Sequence, residues 1–249
     1  MPSSALSRSR KPRRGTELVC EKGFRPLAHP LVLLLARLRM PPPLVVVAAG
    51  AAGIAAAAEL GRGSLLAAAL LLQLKTLLDN ADGQLARLTG RTSAFGRYLD
   101  SEVDLLVNAA LFAALGWTTR QPAVALAGFL ALTSVLSLNF NAERLSRAAA
   151  TEPEAEGRPT AVLRRLYVFV YAPQDRLAEA LVARRPALAG SFAVSLLANL
   201  GMSTQLAAFG LLIAFGHPIA FAWLALAEAA AIALALLPRR APRRQEEVA

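Results

Sequence analysis

The sequence predicts an all-α, polytopic membrane protein: six transmembrane helices preceded by an amphipathic helix at the membrane interface. Three observations predict it. Hydrophobic residues make up 55% of the 249 positions and charged residues 18%, against about 25% charged in a typical soluble domain. The apolar residues gather in six runs, each near the ~20 residues that cross a bilayer as a helix. Basic residues gather at alternate ends of those runs, as membrane topology requires.

Residues 1–16 are basic and rich in Ser and Pro, and read as a disordered N-terminus. A secretory signal would need an apolar stretch soon after its charges. Over 17–39, Leu27, Leu31, Leu34, Leu35 and Leu38 recur at helical spacing, with Arg25, Arg37 and Arg39 between them. That pattern predicts a helix lying in the interface. The six spans are expected at 43–60, 64–86, 98–117, 122–142, 190–215 and 218–237. Pro41, Pro42 and Pro43 mark the start of the first and Pro238 the end of the last. Residues 40–238 thus form one six-helix membrane domain, and 239–249 a cytoplasmic tail. Barrel strands would be shorter and would alternate. The Ala/Gly run at 48–58 suits close helix packing in lipid. The long 143–189 connection reads as a surface loop followed by one or two amphipathic pieces on the membrane surface.

The net charge is +10, which could signal nucleic-acid binding. The distribution excludes it, because the charges lie between apolar runs. Of 27 Lys and Arg residues, 24 fall on one side of the spans, only Arg62 and Arg120 on the other, and Lys75 within a span. Positive-inside placement predicts a cell (inner) membrane protein with both termini in the cytoplasm. Cys20 is the only cysteine, which excludes a disulfide scaffold. With His29 and His217 it leaves too few ligands for a structural zinc site.

Acids near a span are costly and usually functional. Four aspartates surround one cytoplasmic hairpin: Asp79, Asp82, Asp100 and Asp104. Asp79, Asp82, Gly83, Ala86 and Arg87 share one helical face, as do Gly96, Asp100 and Asp104. Gly90, Thr92 and Ser93 suit a turn and a new helix start between them. The hairpin therefore brings four carboxylates together at the inner membrane boundary. They cannot all ionise at close range without cations. Hard oxygen ligands select Mg²⁺, Mn²⁺ or Ca²⁺, and four of them can hold two ions for in-line displacement at phosphorus. Gly83 and Gly96 leave room for a substrate, and Arg87 can pair with a phosphate.

The run Asp79-x-x-Asp82-Gly83-x-x-Ala86-Arg87, eight residues, then Gly96-x-x-x-Asp100-x-x-x-Asp104 resembles the signature of the CDP-alcohol phosphotransferases at every fixed position. The resemblance implies transfer of a phosphoalcohol group from a CDP-linked donor, often CDP-diacylglycerol, to a hydroxyl acceptor with release of CMP. It implies Asp79, Asp82, Asp100 and Asp104 as ligands of two Mg²⁺ or Mn²⁺ ions, with Asp104 also the base on the acceptor hydroxyl. Asp79, Asp82, Gly83, Ala86, Arg87 and Gly96 would bind the CDP donor. A homodimer, embedded in membrane lipid, is also implied.

Lys75 lies one turn before Asp79 and either contacts a phosphate or pairs with Asp79. Arg144, Arg164 and Arg165 are candidates for an acceptor phosphate, which would make the acceptor a phosphorylated polyol such as inositol phosphate or glycerol 3-phosphate. A soluble donor such as CDP-inositol is the alternative within the family. Glu228 reads as a hydrogen-bonding partner between helices or as part of a polar cavity, with packing favoured. A cation transporter is the rival from another class. Its polar groups would lie near the bilayer midplane, without this signature.

Overall fold

The computed structural model describes residues 15–146 and 157–236, and among these every regular element is helical. A π turn at Cys20–Phe24 leads into α1 (Arg25–Arg37). Then come α2 (Pro42–Gly61), α3 (Leu65–Thr89), α4 (Ala94–Thr119), α5 (Pro122–Ser146), α6 (Arg158–Arg184), α7 (Ser191–Ala198), α8 (Met202–Ala214) and α9 (Ala220–Ala235). The readings of a disordered 1–16 and of the 239–249 tail fall wholly or almost wholly outside the described residues, as do residues 147–156 of the 143–189 connection, whose first four residues belong to α5.

Among the described residues, three segments are long and apolar enough to cross a membrane: Pro42–Gly61, Pro122–Ser146 and Ser191–Ala214. Ala220–Ala235 is apolar but shorter. Helices α3 and α4 have ample length, 25 and 26 residues, but carry the charges of the aspartate motif. The fifth expected span is not one helix. It breaks between α7 and α8, where Asn199 turns its side chain to other backbone: Nδ2 donates to Thr16 O at 2.8 Å, and Oδ1 accepts from Leu18 N at 3.0 Å. Hydropathy cannot register such a break, because the residues on both sides are apolar.

Helix α2 packs between α3 and α4. Its glycines make this possible: a Cβ at Gly50 would lie 2.7 Å from Val103 Cγ1. The small-residue run therefore serves packing within the chain. The core beyond it gathers Phe112, Phe209 and Phe221, with the last two stacked at 4.2 Å. Helix α1 lays Ala28 and Val32 against Ala81 and Leu85 of α3, and leaves Leu27, Leu34 and Leu38 exposed. Helix α6 runs through Pro173 as a single element and packs on α4 and α5. Glu228 accepts a hydrogen bond from Gln205 Nε2 at 2.6 Å, so it joins α8 to α9.

Candidate active site

The site is built on the α3–α4 hairpin. Helix α3 ends at Gly90, whose φ of 66° is left-handed, a conformation glycine adopts without a Cβ penalty. Arg91 N then donates back to Ala86 O at 2.8 Å. Ser93 starts α4: its Oγ accepts from Gly96 N at 3.1 Å, satisfying one of the first-turn amides that lack a helical partner. The expected turn and cap at Gly90 and Ser93 are thus present.

This hairpin brings Asp79, Asp100 and Asp104 together. One carboxylate oxygen from each lies within 4.8 Å of the others, and all three residues are half-buried. Oxygen donors from two helices at that spacing fit a hard divalent cation. Asp82, the fourth expected member, stands outside this group. It is buried, and its Oδ1 accepts from the amide of Gly83. The cluster is not at the hairpin tip. Ten residues separate Asp79 from Thr89, or about 15 Å of helix.

Lys75 Nζ is 3.1 Å from Asp79 Oδ1 and also pairs with Asp104 Oδ1. Of its two expected roles, the pairing one matches this geometry, and Asp104 is a partner that spacing along one helix could not reveal. Arg87 folds back against Gly83, with Nη1 3.2 Å from where a Cβ on that glycine would lie. Ala86 is half-buried on the same helix. Gly96 is occupied locally by the Ser93 cap.

The acceptor candidates lie toward α5 and α6. Arg144 donates to Asn141 Oδ1 at 3.0 Å and pairs with Glu179, remaining half-exposed. Arg164 and Arg165 are exposed on α6. Beside them is a cluster that sequence reasoning missed. Asp175 accepts from Asn141 Nδ2 at 2.7 Å, Ser137 Oγ at 3.2 Å and Tyr167 OH at 3.2 Å. The only three tyrosines of the chain form a ladder: Tyr98 to Tyr167 at 5.5 Å, Tyr167 to Tyr171 at 4.8 Å. Tyr171 OH donates to Ser101 O at 3.2 Å. Burial, and after it the charge of Asp104, hold the Tyr171 phenol above its ordinary range, so it stays a donor. The signal was present as Tyr167, Tyr171 and Asp175 at helical spacing, but nothing in the sequence says which surface they face.

Residues 27–237 match the family described as CDP-alcohol phosphatidyltransferase. The chain belongs to that family. Among curated relatives, it is 37% identical over 86 residues to the bifunctional IPC transferase and DIPP synthase of Thermococcus kodakarensis, covering 34% of this chain and 20% of that one. It is 33% identical over 118 residues to the archaetidylinositol phosphate synthase of Aeropyrum pernix, covering 46% of this chain and 60% of that one. The chain therefore spans less than two thirds of the curated relatives it matches. The crystal structure of Mycobacterium tuberculosis phosphatidylinositol phosphate synthase with CDP-DAG bound superposes with a TM-score of 0.42 at 21% identity, covering 79% of this chain and 93% of that one.

Proposed function

We propose that this family member is an integral-membrane phosphotransferase of phospholipid biosynthesis. It moves a phosphatidyl-type group from a CDP-linked lipid to a hydroxyl of a phosphorylated polyol and releases CMP. The observation that carries this reading is the convergence of Asp79, Asp100 and Asp104 within 4.8 Å, on a hairpin that holds the complete family signature. The names of the archaeal relatives, an IPC transferase and DIPP synthase and an archaetidylinositol phosphate synthase, support an inositol phosphate acceptor.

In the proposed reaction the acceptor oxygen forms a bond to the donor phosphorus that bears the alcohol. The bond from that phosphorus to the bridging oxygen breaks, and CMP departs with the electron pair. Asp104 takes the acceptor proton. Arg87 pairs with the diphosphate, and Gly83 leaves room for its guanidinium. Mg²⁺ or Mn²⁺, as two ions held by Asp79, Asp82, Asp100 and Asp104, would neutralise phosphate charge during displacement. Arg144, with Arg164 and Arg165 on α6, would meet the acceptor phosphate, while the Tyr171 side of α6 closes that wall.

In this reading the chain spans the membrane six times: α2, α3, α4, α5, the broken α7–α8 pair and α9. Residues 40–238 form the catalytic domain, and 17–39 lie in the interface with Leu27, Leu34 and Leu38 toward lipid. Both termini and the site face the cytoplasm of a cell-membrane homodimer. The test is purified protein with CDP-diacylglycerol or CDP-inositol and a panel of acceptors, read by CMP release and product mass. Product from an unphosphorylated acceptor alone would refute the acceptor class, and product from CDP-inositol alone would refute the lipid donor.

A further inference from the structure

Lys75 is 1% exposed, one of the largest side chains so fully enclosed. A lysine near a membrane boundary ordinarily extends its ammonium to water; this one is turned inward. Its partners Asp79 and Asp104 come from different helices, so a single ammonium ties α3 to α4 at the site. The stem runs through space that Gly53 of α2 leaves free: a Cβ there would lie 3.2 Å from Lys75 Cγ and 2.5 Å from Val107 Cγ1. Three helices thus shape the place of this one charge. The pairing offsets the cost of enclosing a cation. It also cancels one of the four carboxylate charges that would otherwise repel one another.

We propose that Lys75 is a positioning residue that holds one cation place within the aspartate cluster. It bridges Asp79 and Asp104 when no divalent ion is bound, and a divalent ion binding these carboxylates competes with it or shares them. Lys75 therefore keeps the cluster assembled without metal and weakens its hold on metal. This inference rests on the divalent-ion reading of the site. Its sign is opposite to that of a plain structural anchor, whose loss would weaken metal binding by disordering the ligands.

The experiment compares the full chain in detergent with Lys75→Met and Lys75→Arg. Mn²⁺ binding is followed by the spectroscopic signal of the free ion, and thermal unfolding is measured in EDTA and in Mn²⁺. Lys75→Met is expected to bind Mn²⁺ about tenfold more tightly, because a unit positive charge has left the ligand shell. Lys75→Arg, which keeps the charge, should stay within a few-fold of the parent. Lys75→Met should melt lower than the parent in EDTA and gain more from Mn²⁺ than the parent does. Unchanged or weaker Mn²⁺ binding by Lys75→Met overturns the proposal. So does a Lys75→Met protein that fails to fold and is not rescued by Mn²⁺. A parent protein that binds no Mn²⁺ overturns the divalent-ion reading instead, and this inference with it.

Discussion

The guanidinium of Arg87 folds over the bare Cα of Gly83, with Nη1 3.2 Å and Nη2 3.3 Å from where a Cβ would stand. The contact is with the far end of a flexible side chain, not with backbone. Gly83→Ala is therefore expected to fold normally but to move Arg87. If Arg87 holds the donor diphosphate, CDP-donor affinity should fall about tenfold, on the order of one charge-assisted hydrogen bond. Donor binding by titration calorimetry is the check. Unaltered affinity would remove Arg87 from the donor site.

Metal removal should abolish turnover. The three carboxylates within 4.8 Å motivate this, since the displaced phosphate charge needs a counterion that one lysine cannot supply. CMP release should vanish in EDTA and return with Mg²⁺ or Mn²⁺. Full activity in a metal-free preparation would end the divalent-ion reading.

Asp104→Asn and Asp79→Asn should differ in kind. Loss of a general base costs about 10²–10⁴-fold in rate, and added metal restores only the share of the loss at Asp104 that comes from its hold on the ion. Loss of a metal ligand is a defect of affinity and is partly rescued by raising the metal concentration. Donor binding should survive in Asp104→Asn and weaken in Asp79→Asn. Turnover by Asp104→Asn within a few-fold of the parent would show that the base is elsewhere.

Ser93→Ala removes the side chain that accepts from Gly96 N. The cost should be about 1 kcal/mol, the usual worth of an N-cap, read as a lower melting temperature in detergent. An unshifted transition would mean that water caps α4 equally well.

The distribution of basic residues, 24 against 2, fixes an expected orientation. A reporter fused after Ala249 should be cytoplasmic, and a tag inserted near Arg120 should react with an impermeant label from outside. Both sites on one side of the membrane would require a different number of spans, and the full reverse would require an inverted protein.

Much of this molecule follows from local pattern. Period and hydropathy alone predict α2, α5 and the α3–α4 hairpin, because each depends on residues close in sequence. Gly90 and Ser93 mark the turn for the same reason: backbone conformation and capping are decided within a few positions. The aspartate motif was legible because helical spacing places Asp79 and Asp82, or Asp100 and Asp104, on common faces. Spacing could not decide how two helices rotate against each other. Tertiary packing alone brings Asp79 of α3 to Asp100 and Asp104 of α4, and turns Lys75 onto carboxylates of both helices. Packing alone likewise brings Tyr98 of α4 to Tyr167 of α6, and clips Thr16 and Leu18 to Asn199 at the break between α7 and α8. Each of these joins residues from different elements, and the geometry that joins them is set by side-chain volume at helix contacts such as Gly50 on Val103. A one-dimensional pattern records which face is apolar or charged. The direction in which that face meets its neighbour depends on every helix packed around it.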